Sequence, residues 1–257
     1  MKFLLLLLGV FLSLSSPAGA APEWNEYKGQ HFLIYYKDAP MDFVQNVDES
    51  AERYYQEITE NLGFTRYKSW SWDDRAQIYI YKDQDDYVNH SRQAHWSHGS
   101  ASAREKIIRT FPSAHGFFDS TLPHELGHII FREFIGMSAD VPLWMEEGVA
   151  MYQEKAKRWG ANDVVRQTLK DGRFIPLEDL SQSSLLRNAN ETTVDLFYAE
   201  SASIVYYLIS EIGEYRFVYF CRRLSEGDTF LVAFKMAFVR FRNLDDLNKA
   251  WVEYLNQ

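Results

Sequence analysis

The stretch Leu122-Pro123-His124-Glu125-Leu126-Gly127-His128-Ile129-Ile130-Phe131 decides the reading of this chain. Side chains four residues apart on a helix lie one above the other on one face, so His124 and His128 project together, close enough to hold a single Zn²⁺. Glu125, one residue on, is placed to face a water bound to such an ion, where a general base belongs. Pro123 suits a first helical turn, Ser120 or Thr121 stands where a cap is wanted, and Ile129, Ile130 and Phe131 continue an apolar face. The pattern predicts a buried helix over Pro123–Ile135. Two buried histidines and a buried glutamate are costly without a metal to compensate them.

A catalytic zinc site takes three protein ligands and keeps one position for water. The next helical pattern begins Trp144-Met145-Glu146-Glu147-Gly148-Val149-Ala150, and eighteen residues, 129 to 146, separate His128 from Glu147. Together these segments resemble the gluzincin metallopeptidases, in which H-E-x-x-H is followed after such an interval by a helix bearing a glutamate ligand. In the aminopeptidase-N-like members that helix reads W-L-N-E-G-x-A, so the resemblance assigns the third ligand to Glu147. Glu146 is left as an acid at a solvated helix start, where the helix dipole favours it. Glu154, two turns on from Glu147 and on the same face, stands where the aminopeptidase-like helix has a further glutamate. It is read either as hydrogen-bonded to a ligand histidine or as a plain surface acid.

Tyr198-Ala199-Glu200-Ser201-Ala202, followed by Ile204-Val205-Tyr206-Tyr207-Leu208, is similar to the tyrosine-bearing helix of these enzymes. The resemblance implies that Tyr198 stabilises the tetrahedral oxyanion, with Tyr206 and Tyr207 as the fallbacks. Other zincin families fit less well. Phe131 and Phe134 stand where a metzincin needs Gly and His, and Met151 stands where the thermolysin version has an acid. Between Ser97 and Ser120 there is no Gly-Ala-Met-Glu-Asn segment, which holds the substrate's free amine in aminopeptidases.

The whole pattern is similar to the peptidase-MA-like family of small gluzincins. This implies a zinc peptidase acting on peptide or protein substrates, more as an endopeptidase than as an aminopeptidase. The alternative is a catalytically silent zincin-fold domain of the cell envelope that binds metal or a partner protein. A closed structural zinc site needs a fourth protein ligand, which would have to come from His90, His95, His98 or His115.

The rest of the chain sets the frame. Lys2 precedes an apolar run from Phe3 to Leu14, a Ser-Ser-Pro break and Ala18-Gly19-Ala20. That reads as a secretory signal over residues 1–20 and an exported, periplasmic or extracellular protein, since the run is too short to span a bilayer. Residues 21–257 are expected to form a single zincin-like α+β domain, without a membrane span. Strands at His31–Lys37, Ala76–Lys82 and Lys106–Phe111 and a helix at Asp42–Leu62, stopped by Gly63, give a small mixed sheet within about 21–120.

Helices follow over about 121–257: Pro142–Arg158, a short piece near Asp163–Lys170, Ala199–Ile212, Tyr215–Glu226, Asp228–Arg240 and Leu244–Leu255. By analogy with zincins, Lys106–Phe111 is where an extended peptide would add backbone hydrogen bonds. The polar stretch Pro176–Asp195 reads as a long loop beside a cleft. With 27 Lys+Arg against 36 Asp+Glu and a net charge of −9, nothing suggests nucleic acid as a partner. Cys221 is the single cysteine, so no internal disulfide forms, and its apolar setting reads as a buried, inert thiol. The oligomeric state is not encoded in any of these features.

Overall fold

Phe32–Tyr36 (β2) and Ala76–Ile80 (β3) alternate in burial as period-two strands should, with Phe32, Ile34, Ala76, Ile78 and Ile80 fully enclosed in the computed structural model. The structure describes residues 24–64, 70–91, 99–112, 114, 116–182, 184–187 and 189–257. The expected leader at 1–20 and the residues His95, Trp96, His98 and His115 lie outside them.

β2 and β3 run parallel, and β1 (Asn25–Lys28) pairs antiparallel with β2. On the other side β5 (Ile107–Thr110) is parallel to β3, and β4 (Gly99–Ser102) is antiparallel to β5, giving the order β1-β2-β3-β5-β4. Parallel neighbours need a crossover. Between β2 and β3 it is α1 (Met41–Asn61), whose stripe Val44, Val47, Ala51, Tyr54 and Ile58 is buried. Gly63 ends it at φ +66°, as its place after the helix predicts.

The connection between β3 and β5 is richer than the polar loop that the sequence suggests. It holds α2 (Gln84–Ser91) and β4. Neither announces itself, because α2 buries only Tyr87 and β4 reads Gly-Ser-Ala-Ser, without β-branched or aromatic residues. One expectation is overturned as a result. β5, the observed form of Lys106–Phe111, has hydrogen-bonded neighbours on both sides and is closed to an added strand; β4, beside it, is one of the sheet's two edge strands, β1 being the other.

The helical part comprises α3 (Leu122–Ile135), α4 (Leu143–Gln153), α5 (Lys155–Lys170), α6 (Leu177–Leu180), α7 (Glu191–Tyr206), α8 (Glu214–Ser225), α9 (Phe230–Ala237) and α10 (Leu244–Leu255). Several boundaries differ from expectation. The helix expected over Pro142–Arg158 is broken at Glu154 (φ −78°, ψ 104°), and α5 absorbs the short piece near 163–170. No Pro or Gly marks that break, so sequence pattern is blind to it. The expected loop Pro176–Asp195 holds α6 and the start of α7, capped by the Asn190 carboxamide oxygen accepting from the Thr193 amide. α9 is capped by Thr229 rather than Asp228, whose carboxylate pairs with Arg223. Neither Ser120 nor Thr121 caps α3, because a π-helical turn at Phe117–Thr121 leads into it.

α3 lies at the centre. Its Leu126, Ile129, Ile130 and Phe131 are fully buried, each worth about 1.5–3 kcal/mol relative to exposure. Two glycines let the neighbouring helices close in: a Cβ on Gly127 would lie 3.0 Å from the Ala150 Cα on α4, and one on Gly148 would lie 2.3 Å from the Ser201 carbonyl oxygen on α7. α3 is thereby packed closely on α4, and α4 on α7. Cys221 is fully enclosed, and burial pushes its thiol well above the usual range. Among the described residues no helix is long and apolar enough to cross a membrane.

Candidate active site

His124 and His128 on α3 and Glu147 on the first turns of α4 point one atom each at a common centre. The two Nε2 atoms are 3.1 Å apart, and Glu147 Oε2 lies 3.6 Å from His124 Nε2 and 3.7 Å from His128 Nε2. Ligands 2.0–2.2 Å from a tetrahedral zinc sit about 3.3–3.5 Å from one another, so this triangle is close to the size an ion requires. The protonation pattern agrees. His124 Nδ1 is 2.9 Å from Glu154 Oε1, and a carboxylate there accepts the Nδ1 proton, so Nε2 is the nitrogen that would meet an ion in the triangle once it gives up its own proton. Two imidazole nitrogens and a carboxylate oxygen suit zinc. Among the described residues, these three form the group able to hold a metal; His90 sits on α2 with its Nδ1 against Asp86.

Glu154 is not a surface acid. The break between α4 and α5 turns it inward to 5% exposure, where one oxygen meets His124 and the other accepts from the Ser120 hydroxyl. Ser120, considered above only as a cap, is brought there by the π-helical turn. Glu146 also departs from expectation. Consecutive helical residues point about 100° apart, so while Glu147 turns to the histidines, Glu146 meets Arg132 on α3. The guanidinium donates from Nε to Oε1 at 2.7 Å and from Nη2 to Oε2 at 2.6 Å, and from Nη1 to the Ala139 carbonyl oxygen. Glu146 is a clasp between helices rather than a solvated acid.

Charge in the site follows from burial. The Glu125 carboxyl is pushed up to about 7 by burial; the His124 charge opposes this, Glu147 and Glu154 add to it, and a hydrogen bond from the Ala101 amide of β4 lowers it. Burial and the neighbouring His124 hold His128 down at about 4. At His124 burial acts the same way but is outweighed by the hydrogen bonds to Glu147 and Glu154, which raise it to about 10. Glu147 is kept below its usual value, since its contacts with the two histidines exceed the cost of burial.

Tyr198 on α7 lines the same cleft of ≈ 700 Å³ as His124, Glu125 and Glu154. Burial, then Glu147 and Glu125, raise its phenol. The fallback tyrosines are engaged elsewhere: Tyr207 accepts from Arg240 and packs on Tyr254, and Tyr206 packs near Tyr152. β4 borders the same cleft through Gly99, which falls in the stretch Trp96–Ala101, expected from the sequence as a loop that could line the cleft.

With this geometry in hand, the relatives are informative. The sequence profile described as the Peptidase MA superfamily matches residues 70–257. The chain belongs to that superfamily, a gluzincin-like group of zincin-type peptidases. Among 22 matching chains of known structure, native yeast LTA4 hydrolase superposes with a TM-score of 0.53 at 16% identity, over 89% of this chain and 38% of that one. This chain therefore spans well under half of that structure, and the likeness is one of fold: zincin-like α+β. No curated protein sequence matches significantly. A gluzincin-type family implies zinc, and His124, His128 and Glu147 are the group that could bind it.

Proposed function

We propose that the chain is an exported, zinc-dependent metallopeptidase that cuts within peptide or protein chains. The observation carrying this reading is the convergence of His124, His128 and Glu147 on one point, with Glu125 and Tyr198 lining the same cleft as His124. His124, His128 and Glu147 would hold Zn²⁺, which when bound supplies Lewis-acid polarisation and a more acidic water.

The chain's own groups do the rest. Glu125, a carboxyl brought near neutrality by burial, takes the proton of the attacking water and returns it to the leaving amine. Tyr198 donates its hydroxyl hydrogen bond to the oxyanion of the tetrahedral intermediate. Glu154 holds His124 through Nδ1, and Ser120 holds Glu154. An extended substrate is placed along β4, an edge strand of the sheet, where main-chain hydrogen bonds can be added.

Export is supported by the leader-like residues 1–20, with 21–257 as the mature domain. Internal cleavage is supported by the missing amine-anchoring segment between Ser97 and Ser120. The test is metal content by mass spectrometry on wild type, Glu125→Gln and Glu147→Ala, with cleavage of an unbiased peptide library. Near-stoichiometric zinc in the first two, lost in Glu147→Ala, with cleavage by wild type alone, is the expected result. Zinc without cleavage would leave a metal-binding domain, and no zinc in wild type would remove the site altogether.

A further inference from the structure

The cleft has a second wall that the proposed chemistry leaves unused. On α5, Lys157, Gly160, Ala161 and Val164 fall at i, i+3, i+4 and i+7, one helical face, and all four line the cleft with the catalytic groups. Met151 on α4 and Asp195 and Ala199, one turn apart on α7, line the cleft as well. Between the charged residues Lys157 and Asp195 these side chains are small or apolar, and Val164 is left 49% exposed.

Gly160 is the informative residue. A glycine inside a helix lowers its stability relative to alanine, and two structural needs ordinarily justify keeping one. The first is a left-handed backbone, but Gly160 is not among the positive-φ glycines. The second is close approach by another element, as at Gly148. Yet a Cβ on Gly160 would meet no described atom within 4 Å beyond its chain neighbours. The absent side chain leaves room in the cleft that no described residue beyond its chain neighbours fills.

We infer that this face of α5 is a substrate subsite for a bulky apolar side chain of the leucine, methionine or phenylalanine class, next to the bond that is cut, and that Gly160 sets its depth. Val164 and Met151 supply the apolar contact, and Ala161 and Ala199 keep the wall low. Lys157, one turn before Gly160, marks the polar end of the same wall. This inference rests on the peptidase reading for its substrate, and its test needs the proposed zinc site but not turnover.

The test uses the zinc-loaded mature chain and two hydroxamate-capped peptides that differ only in one side chain, alanine or phenylalanine, with binding followed by calorimetry. Wild type is expected to bind the phenylalanine probe at least about tenfold more tightly, the scale on which apolar pockets discriminate by size. Gly160→Leu should bring the two affinities to within about twofold. Val164→Asp, a change at a half-exposed position, should reduce the ratio as well and serves if Gly160→Leu does not fold. A wild-type ratio near one, or a ratio unchanged in the variants, overturns the subsite. A protein that shows the ratio but cuts no peptide keeps the subsite and loses the peptidase reading. One that cuts peptides without regard to side-chain size keeps the peptidase and loses the subsite.

Discussion

Arg132 clasps Glu146 with two parallel hydrogen bonds, and this fixes which of two adjacent glutamates faces the histidines. The pair is partly enclosed, with side-chain exposures of 17% and 22%, so removing the cation strands a carboxylate between helices. Arg132→Ala should cost about 1–3 kcal/mol, less than a fully buried pair because solvent still screens it. Zinc stoichiometry should stay near that of wild type. Glu147→Gln should do the reverse, losing zinc while melting near the temperature of metal-free wild type. Calorimetry and elemental analysis on both variants would show the contrast; equal zinc loss in the two would contradict it.

Glu154 and Ser120 reach the metal-ligand triangle through His124. Glu154→Ala removes the acceptor of the Nδ1 proton, and zinc affinity should fall about 10–100-fold. Ser120→Ala removes one hydrogen bond to that acceptor and should have a smaller effect in the same direction. Competition with a chelator of known affinity measures both. An effect of Ser120→Ala exceeding that of Glu154→Ala would be incompatible with the chain of contacts.

Tyr198→Phe should lower kcat/KM about 10²–10³-fold, the cost of losing one oxyanion donor, with KM and zinc content near those of wild type. If Tyr206→Phe or Tyr207→Phe gave the larger loss, the assignment would move to that residue.

Glu200, fully enclosed on α7, gives a pH signature away from the metal. Burial pushes its carboxyl up to about 8, opposed by the hydrogen bond from the Ile175 amide. Between its ordinary value near 4.5 and about 8, the folded chain keeps a proton that the unfolded chain has released. Stability therefore falls as pH rises through that window, by up to about 1.4 kcal/mol per pH unit, and levels off above it. Glu200→Gln keeps the acceptor oxygen and removes the charge. It should melt higher than wild type at pH 8 and at about the same temperature at pH 4.5; parallel curves would disprove the assignment.

Two glycines should respond oppositely to alanine. At Gly148 the new methyl meets the Ser201 carbonyl oxygen, α4 and α7 must part, and the cost is about 1–3 kcal/mol. At Gly160 the methyl meets open space, so Gly160→Ala should stabilise by about 0.5–1 kcal/mol. Denaturant melts of the two variants decide this.

Much of this was legible in the sequence because helices write their burial as a period. The His124-Glu125-Leu126-Gly127-His128 helix and the spacing to Glu147 needed only that rule and the family's pattern. α1 and its Gly63 stop were likewise read within a residue of where they lie. What escaped has physical reasons. β4 is held by main-chain pairing and neighbours, not by β-formers. The break at Glu154 is set by where its carboxylate finds Ser120 and His124, contacts across more than 29 residues of chain. The Arg132–Glu146 clasp joins two helices whose relative rotation no local pattern reports.

All three atoms of the triangle come from one stretch, 124 to 147, a pair of sequential helices joined by a short turn. Such a hairpin closes a small loop, so its chain-entropy cost is modest and it can form early, as low contact order favours. Its rigidity has a different origin, because the groups that pin it, Glu154, Ser201 and the α1 and β4 neighbours, arrive from both ends of the chain. The donor atoms are thus close in sequence, while the spacing that suits an ion depends on contacts made across the whole fold, so metal affinity should fall with any change that loosens the packing of α7 on α4.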